Sequence, residues 1–186
     1  MVALVDSYSE NNQSSSFSLV QEGETNPDLV YQSFTGNGTL LQKATFYIKK
    51  ESGSTGNINA VVYAHSGTFG TSSVPTGSVL ATSEAVDAST IGTDYALQDF
   101  SFSGENIILL EDATKYIVGL IYDNGFPYSI QIGSDNVALN HAGNAGESFA
   151  GTPSAESGED LCFYVYGMGE TPEVGVVYPL PPFKKA

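Results

Sequence analysis

Apart from its carboxylates, this chain has few side chains that could do chemistry: two histidines and one cysteine stand beside 21 acidic residues. A Ser-His-Asp set would have to use His65 or His141. There is no Gly-x-Ser-x-Gly motif, and residues 146–150 match it only in part. The histidines also form no closely spaced pair for zinc. We expect both on the surface, His65 at the end of a strand and His141 in a polar loop.

The carboxylates and the thiol do not supply a catalytic set either. A glycosidase needs a pair of carboxylates, and so acidic a chain always offers one. Most of these acids lie in predicted turns, however, and there is no tryptophan to line a sugar cleft. Cys162 lies in a predicted strand, where a lone thiol is an inert apolar group. We therefore predict a protein that is not an enzyme and that needs no cofactor.

Aromatic rings on a sheet surface point to binding instead. The chain has 11 tyrosines, and tyrosine rings can stack on sugar C–H surfaces, although tyrosines also simply suit half-buried strands. The predicted carbohydrate contacts, near a strand end and a turn, are Tyr63, His65, Phe126 and Tyr128. Other tyrosines predicted to face outward are Tyr47, Tyr164 and Tyr166.

Oxygen donors at turns are the second candidate set. Asp123 and Asp135 each precede an asparagine, and carboxylate and amide oxygens are the ligands that calcium prefers. No EF-hand-like spacing is present. Calcium at Asp123 and Asp135 is therefore an alternative to the prediction of no cofactor.

The charge argues against whole classes of partner. Six lysines, no arginine and a net charge of −15 repel nucleic-acid phosphates and anionic lipid headgroups. No apolar run is long enough for a membrane span, and the first residues lack the basic and apolar regions of a secretory signal. We expect neither nucleic acid nor membrane as a partner. We also expect synthesis in the cytoplasm and a final place on a virion or an extracellular surface.

Strands must position these residues. Alternating apolar and polar residues recur roughly every 8–15 residues, with turn residues between them. Strands 44–49 and 58–64 flank a Ser/Gly turn and are predicted hairpin partners. Strand 116–122 is apolar on both faces and is predicted to be central. About nine or ten such strands predict an all-β, antiparallel, jelly-roll-like β-sandwich over residues 1–167.

Two segments depart from this pattern. Residues 140–160 are poor in large apolar residues and are predicted to form a long surface loop with at most one short strand, near residues 148–149. Residues 168–186 form a proline-rich arm that favours an extended conformation. We predict that the arm contacts a neighbouring subunit; its own domain or solvent are the alternatives. Its apolar residues, which would gain free energy by burial, are Val174, Val176, Val177, Tyr178, Leu180 and Phe183.

Spaced motifs carry a resemblance to a known family. Residues 32–35, 40–50, 56–57 and 61–64, then 77–81 and 114–118, resemble in order the choice-of-anchor β-sandwich modules of bacterial surface proteins and of phage or metagenomic proteins. The resemblance covers about residues 28–167 and implies a sandwich without catalytic residues. Anchored members have a leader and a C-terminal anchor. This sequence shows neither, which favours a virion component over cell-wall display.

The sequence thus predicts a non-enzymatic, surface-exposed structural protein. Within that class we expect a phage virion component, either a capsid decoration (cement) protein or a fibre subunit, that forms homo-oligomers through its arm. The alternative is a carbohydrate-binding or adhesion module on a cell or virus surface, with glycans as partners. A glycan-active enzyme is the third hypothesis.

Overall fold

The computed structural model describes residues 1–20, 29–123 and 128–169, which form two antiparallel sheets packed face to face. None of these residues lies in an α-helix. The only helical segments among them are three single-turn 3-10 helices at Glu10–Asn12, Ala88–Thr90 and Gly104–Asn106. The predicted all-β sandwich is therefore confirmed. Within the same ranges, no helix is long and apolar enough to cross a membrane.

Fifteen strands occur in the described ranges, more than the nine or ten expected, because several are only two to five residues long. One sheet has eight strands: β1 (Val2–Tyr8), β2 (Ser15–Leu19), β4 (Thr39–Lys50), β8 (Ala96–Ser101), β9 (Leu109–Leu110), β11 (Ile130–Asp135), β14 (Asp160–Leu161) and β15 (Phe163–Met168). The other has seven: β3 (Leu29–Thr35), β5 (Asn57–Ser66), β6 (Val74–Thr82), β7 (Val86–Asp87), β10 (Lys115–Tyr122), β12 (Ala145–Phe149) and β13 (Thr152–Glu156).

Period-two patterning sets the core. In β10, Val118 and Leu120 face the main core between the sheets, whereas Ile117 and Ile121 face outward. The outward pair joins a second, smaller apolar cluster on the outer face of the seven-stranded sheet. β10 lies between β3 and β5, so the prediction of a central strand is confirmed. The strand order β13-β12-β3-β10-β5-β6 leaves β6 and β13 at opposite edges.

The predicted hairpin between strands 44–49 and 58–64 is wrong. These segments lie in β4 and β5, which follow each other in sequence but belong to different sheets. The turn between them therefore crosses from one sheet to the other. The partners of β5 are β10 and β6. β10 is apolar on both faces and lies inside the sheet, with β3 on one edge and β5 on the other.

The predicted loop at residues 140–160 is also wrong, although the short strand expected near residues 148–149 is present within β12. The segment carries β12 and β13, which pair as a hairpin, and the first residue of β14. The two residues of the hairpin turn, Ala150 and Gly151, have positive φ angles of 48° and 77°. An Ala-Gly pair is not the Asn-Gly or Asp-Gly pattern by which such turns are recognised. The sequence pattern does not make β1 evident, and β6 begins at Val74, within a stretch rich in glycine, serine and threonine.

Candidate functional site

A groove of about 480 Å³ lies on the outer face of the seven-stranded sheet. Leu29, Tyr63 and Ile121, from the inner strands β3, β5 and β10, form its floor. Residues of β6 form one wall, and the β12–β13 hairpin forms the other. Its volume falls within the roughly 300–1,000 Å³ of typical small-ligand sites.

The groove exists because the sheet curls until its two edge strands approach each other. Cα atoms of β6 and β13 come within 8 Å. Tyr31 of β3 is fully buried, and its hydroxyl donates to the carbonyl oxygen of Ser154 in β13 over 2.9 Å. A side chain at Gly146 would collide with the Tyr31 ring. Tyr31 and Gly146 together therefore hold the hairpin against β3 and fix one wall of the groove.

Hydroxyl groups face this groove without partners. Tyr63, Thr76 and Ser148 line it, and none of their hydroxyls forms a hydrogen bond with a described residue. No lining residue in the described ranges carries a carboxylate, an amine or an imidazole. Burial raises the pKa of Tyr63, so its phenol stays neutral at physiological pH. The groove combines an uncharged apolar floor with unpaired hydroxyls.

The three predicted carbohydrate contacts that the structure describes do not form one site. Tyr63 lies in the groove, whereas His65, two residues further along β5, packs into the 67–73 loop: its Nε2 is 3.0 Å from the Ser73 hydroxyl, and its ring meets Phe69 edge-on. Burial and the nearby Lys115 charge lower the pKa of His65.

The other two predicted contacts lie elsewhere in the sequence, between β10 and β11. Tyr128 is 39% exposed and lies against Gly53, in the turn that links β4 to β5. Phe126 falls outside the described residues. Of the three described members of the predicted set, Tyr63 is the one that lines the groove.

The two carboxylates predicted to bind calcium are not brought together. Asp123 directly follows β10 of the seven-stranded sheet and accepts hydrogen bonds from the backbone and side-chain amides of Asn57, the first residue of β5. Asp135 is the last residue of β11, in the eight-stranded sheet. Within the described ranges, no group of three or more His, Cys, Asp or Glu residues is placed to hold a metal ion.

The Asp135 carboxylate is already surrounded by donors. It is buried and accepts hydrogen bonds from the hydroxyls of Tyr8 and Ser14, each over 2.6 Å. The backbone N–H groups of Val137 and Ala138 donate to it as well, over 3.0 and 3.3 Å. The Ser14 and Tyr8 hydrogen bonds are the main reason that the pKa of Asp135 falls to about 2.

A buried polar network around His141 was not predicted, and the expectation of a surface position is wrong. Its side chain is only 7% exposed, and its Nε2 lies 3.1 Å from a carboxylate oxygen of Asp6 in β1. The backbone N–H of Gly143 donates to Nδ1 over 3.1 Å. A backbone N–H can only donate, so Nδ1 is the acceptor in this contact, which leaves Nε2 as the ring nitrogen that faces Asp6.

Gln32 and Asp160 complete the network. The Gln32 side chain donates to Asp160 over 2.9 Å and accepts from the backbone N–H of Leu161 over 2.8 Å. Asp6 also accepts from the backbone N–H of Thr35 in β3, which ties the two sheets together. Burial raises the pKa of Asp160. The side chains of His141, Asp6, Gln32 and Asp160 all have hydrogen-bond partners within the fold. The network therefore stabilises the packing of the two sheets.

Cys162 is equally enclosed. It is fully buried, and burial, with the negative charges of Asp135 and Glu10 nearby, raises the pKa of its thiol to about 12. The thiol is therefore protonated at neutral pH and is not a nucleophile.

The outward tyrosines of the eight-stranded sheet already have ring partners. Tyr47 stacks on Tyr95 with 5.2 Å between ring centroids, and Tyr164 stacks on Tyr166 with 6.3 Å. A lysine amino group lies over one ring of each pair, 4.6 Å from the Tyr95 centroid and 4.7 Å from that of Tyr166. In contrast, no other described ring packs against Tyr63.

A second cleft, of about 550 Å³, lies on the eight-stranded sheet near the end of β15; Val2, Phe102 and Tyr166 are among its lining residues. Val2 and Leu4 of the edge strand β1 are each 49% exposed. The predicted subunit contacts of the arm lie outside the described residues: Val174, Val176, Val177, Tyr178, Leu180 and Phe183.

Comparison with protein-family models, with curated proteins and with solved structures gave no match. The resemblance to choice-of-anchor modules therefore stays a prediction.

Proposed function

We propose that this protein is a non-enzymatic structural module of an assembled surface, namely a phage virion decoration protein or fibre subunit, in which the 168–186 arm joins neighbouring copies. The observation that supports it is the apolar edge of β1. Val2 and Leu4 are exposed on an edge strand, and such an edge invites pairing unless something covers it.

The arm begins beside this edge. Met168, the last residue of β15, pairs with Val2 of β1. An extended chain spans about 3.3 Å per residue, so Phe183 lies up to roughly 50 Å of chain from Met168. We infer that the arm reaches the cleft at Val2 on a neighbouring copy. The strongly acidic composition suits an exposed surface, because it favours solubility and repels nucleic acid.

Light scattering coupled to size-exclusion chromatography tests the proposal. We expect the full chain to form an oligomer and residues 1–169 to form a monomer. Leu4→Glu in the full chain should weaken association, because it places a charge on the apolar edge. The matched control is Val137→Glu, at a residue that is 78% exposed outside the strands, and it should leave association unchanged. The same oligomeric state for the full and shortened chains would contradict the proposal.

A carbohydrate-binding or adhesion module is the second candidate function. The groove at Tyr63 favours it, because an unstacked aromatic ring and unpaired hydroxyls share one uncharged concave surface.

A further inference from the structure

We propose that the groove between β6 and the β12–β13 hairpin binds a neutral oligosaccharide, with Tyr63 as the stacking residue. This inference rests on the second candidate function and names its ligand class. It does not depend on the role of the arm.

The charge distribution selects a neutral ligand. No described residue that lines the groove carries an ammonium or imidazolium group that could pair with a sugar carboxylate or sulfate. The chain as a whole carries a net charge of −15, so an acidic sugar would be repelled at long range and would gain no ion pair on contact. A neutral sugar meets neither obstacle.

The groove edges disfavour a peptide strand as the occupant. Pro75 of β6 and Pro153 of β13 both line the groove. Proline has no backbone N–H, so each edge lacks a donor that an added strand would need. A saccharide does not depend on a continuous ladder of backbone hydrogen bonds.

The floor and the hydroxyls match the two kinds of surface that a sugar ring offers. The half-buried Tyr63 ring beside Leu29 and Ile121 gives an apolar surface for sugar C–H groups. The hydroxyls of Tyr63, Thr76 and Ser148 are free to exchange hydrogen bonds with sugar hydroxyls, because no described residue bonds to them. A neutral sugar can therefore use both surfaces at once.

Isothermal titration calorimetry with defined hexasaccharides tests the inference. The neutral probes are cellohexaose, xylohexaose, mannohexaose and chitohexaose; the acidic probes are hexagalacturonate and a hyaluronan hexasaccharide. We expect at least one neutral probe to bind and neither acidic probe to do so.

Variants then locate the site. Tyr63→Ala should weaken binding of the neutral probe roughly tenfold or more, because it removes the stacking ring. Tyr63→Phe and Thr76→Val, which each remove one hydroxyl and keep the volume, should weaken it by about threefold. Tyr95→Ala, at a half-buried tyrosine that directly precedes β8 of the other sheet, is the control and should leave binding unchanged. Thermal unfolding of each variant checks that it folds. Thr76 is exposed, so Thr76→Val should leave the stability of the fold unchanged.

Three results would overturn the inference in different ways. Binding of an acidic probe that Tyr63→Ala weakens would keep the carbohydrate-binding candidate and refute the neutral ligand class. Binding that none of the groove variants changes would place the site elsewhere. The absence of binding by all six probes would refute the inference, together with the carbohydrate candidate for these sugar classes.

Discussion

At the scale of single residues, a carboxylate that a sequence offers as a metal ligand can instead be a structural acceptor. Asp135 directly precedes an asparagine in a turn-like segment, which is typical of a calcium ligand. In the fold, four donors from three parts of the chain occupy its oxygens. A cation would have to displace these hydrogen bonds, so the charge of Asp135 stabilises the fold itself.

This arrangement predicts an acid-sensitive stability. The pKa of Asp135 falls from 3.8 to about 2 on folding, so the native state favours the charged form. The resulting stabilisation is fully present above about pH 4 and is lost as the pH falls towards 2. Asp135→Asn should lower the free energy of unfolding at pH 7 by roughly 2 kcal/mol and should flatten its decline in acid.

Urea unfolding monitored by circular dichroism between pH 7 and pH 2.5 measures this effect. Asp94→Asn, at an exposed residue, is the matched control and should behave like the unchanged protein. An Asp135→Asn variant with an unchanged free energy of unfolding at pH 7 would show that the four hydrogen bonds contribute no net stability.

At the scale of elements, the β12–β13 turn carries strain that a substitution can relieve. Ala150 has a φ of 48°, a left-handed conformation that costs a residue with a Cβ about 1 kcal/mol or more. Ala150→Gly should therefore stabilise the protein by about 1 kcal/mol. Ala155→Gly, in regular strand β13 of the same hairpin, should destabilise it by roughly 0.5–1 kcal/mol. Thermal unfolding of both variants checks that these effects have opposite signs.

Strands with strong alternation were predictable from the sequence, whereas their partners were not. The faces of β5 and the central place of β10 follow from the period-two pattern. β5 pairs with β10 and not with β4, which lies in the other sheet. The order of strands in the sequence does not show which strands are hydrogen-bonded neighbours in a sheet. The β12–β13 hairpin has short strands rich in small residues and an Ala-Gly turn, so the sequence indicates only a short strand near residues 148–149 and neither β13 nor the turn.

Among the described residues that line the groove, Tyr63 is the one that the sequence indicates as a binding residue. Tyr63 was expected to face outward, and it lines the groove. The walls of the groove depend on the curl of the sheet, which Tyr31 and Gly146 create through a contact between separate strands. His141 was misplaced for a similar reason: its partner Asp6 belongs to β1, a strand without a clear alternation.

At the scale of the whole molecule, charge repulsion should oppose folding. The net charge is −15, and among the described residues the one ion pair between a lysine and a carboxylate joins Lys43 to Asp99 over 2.7 Å. Salt shortens the Debye length from about 10 Å at 0.1 M to about 3 Å at 1 M. The melting temperature should therefore rise by roughly 2–5 °C between 0.01 and 0.5 M NaCl.

Calorimetry at matched ionic strength then separates this screening from a specific calcium site. Calcium and magnesium chloride should raise the melting temperature equally, because Asp135 is occupied by its donors and Asp123 is bonded to Asn57. A rise that calcium alone produces, and that saturates below about 1 mM in the manner of a site with defined affinity, would contradict this expectation. Asp123→Asn would then identify the ligand: loss of the calcium effect would place the ion at Asp123, the exposed residue that directly follows β10.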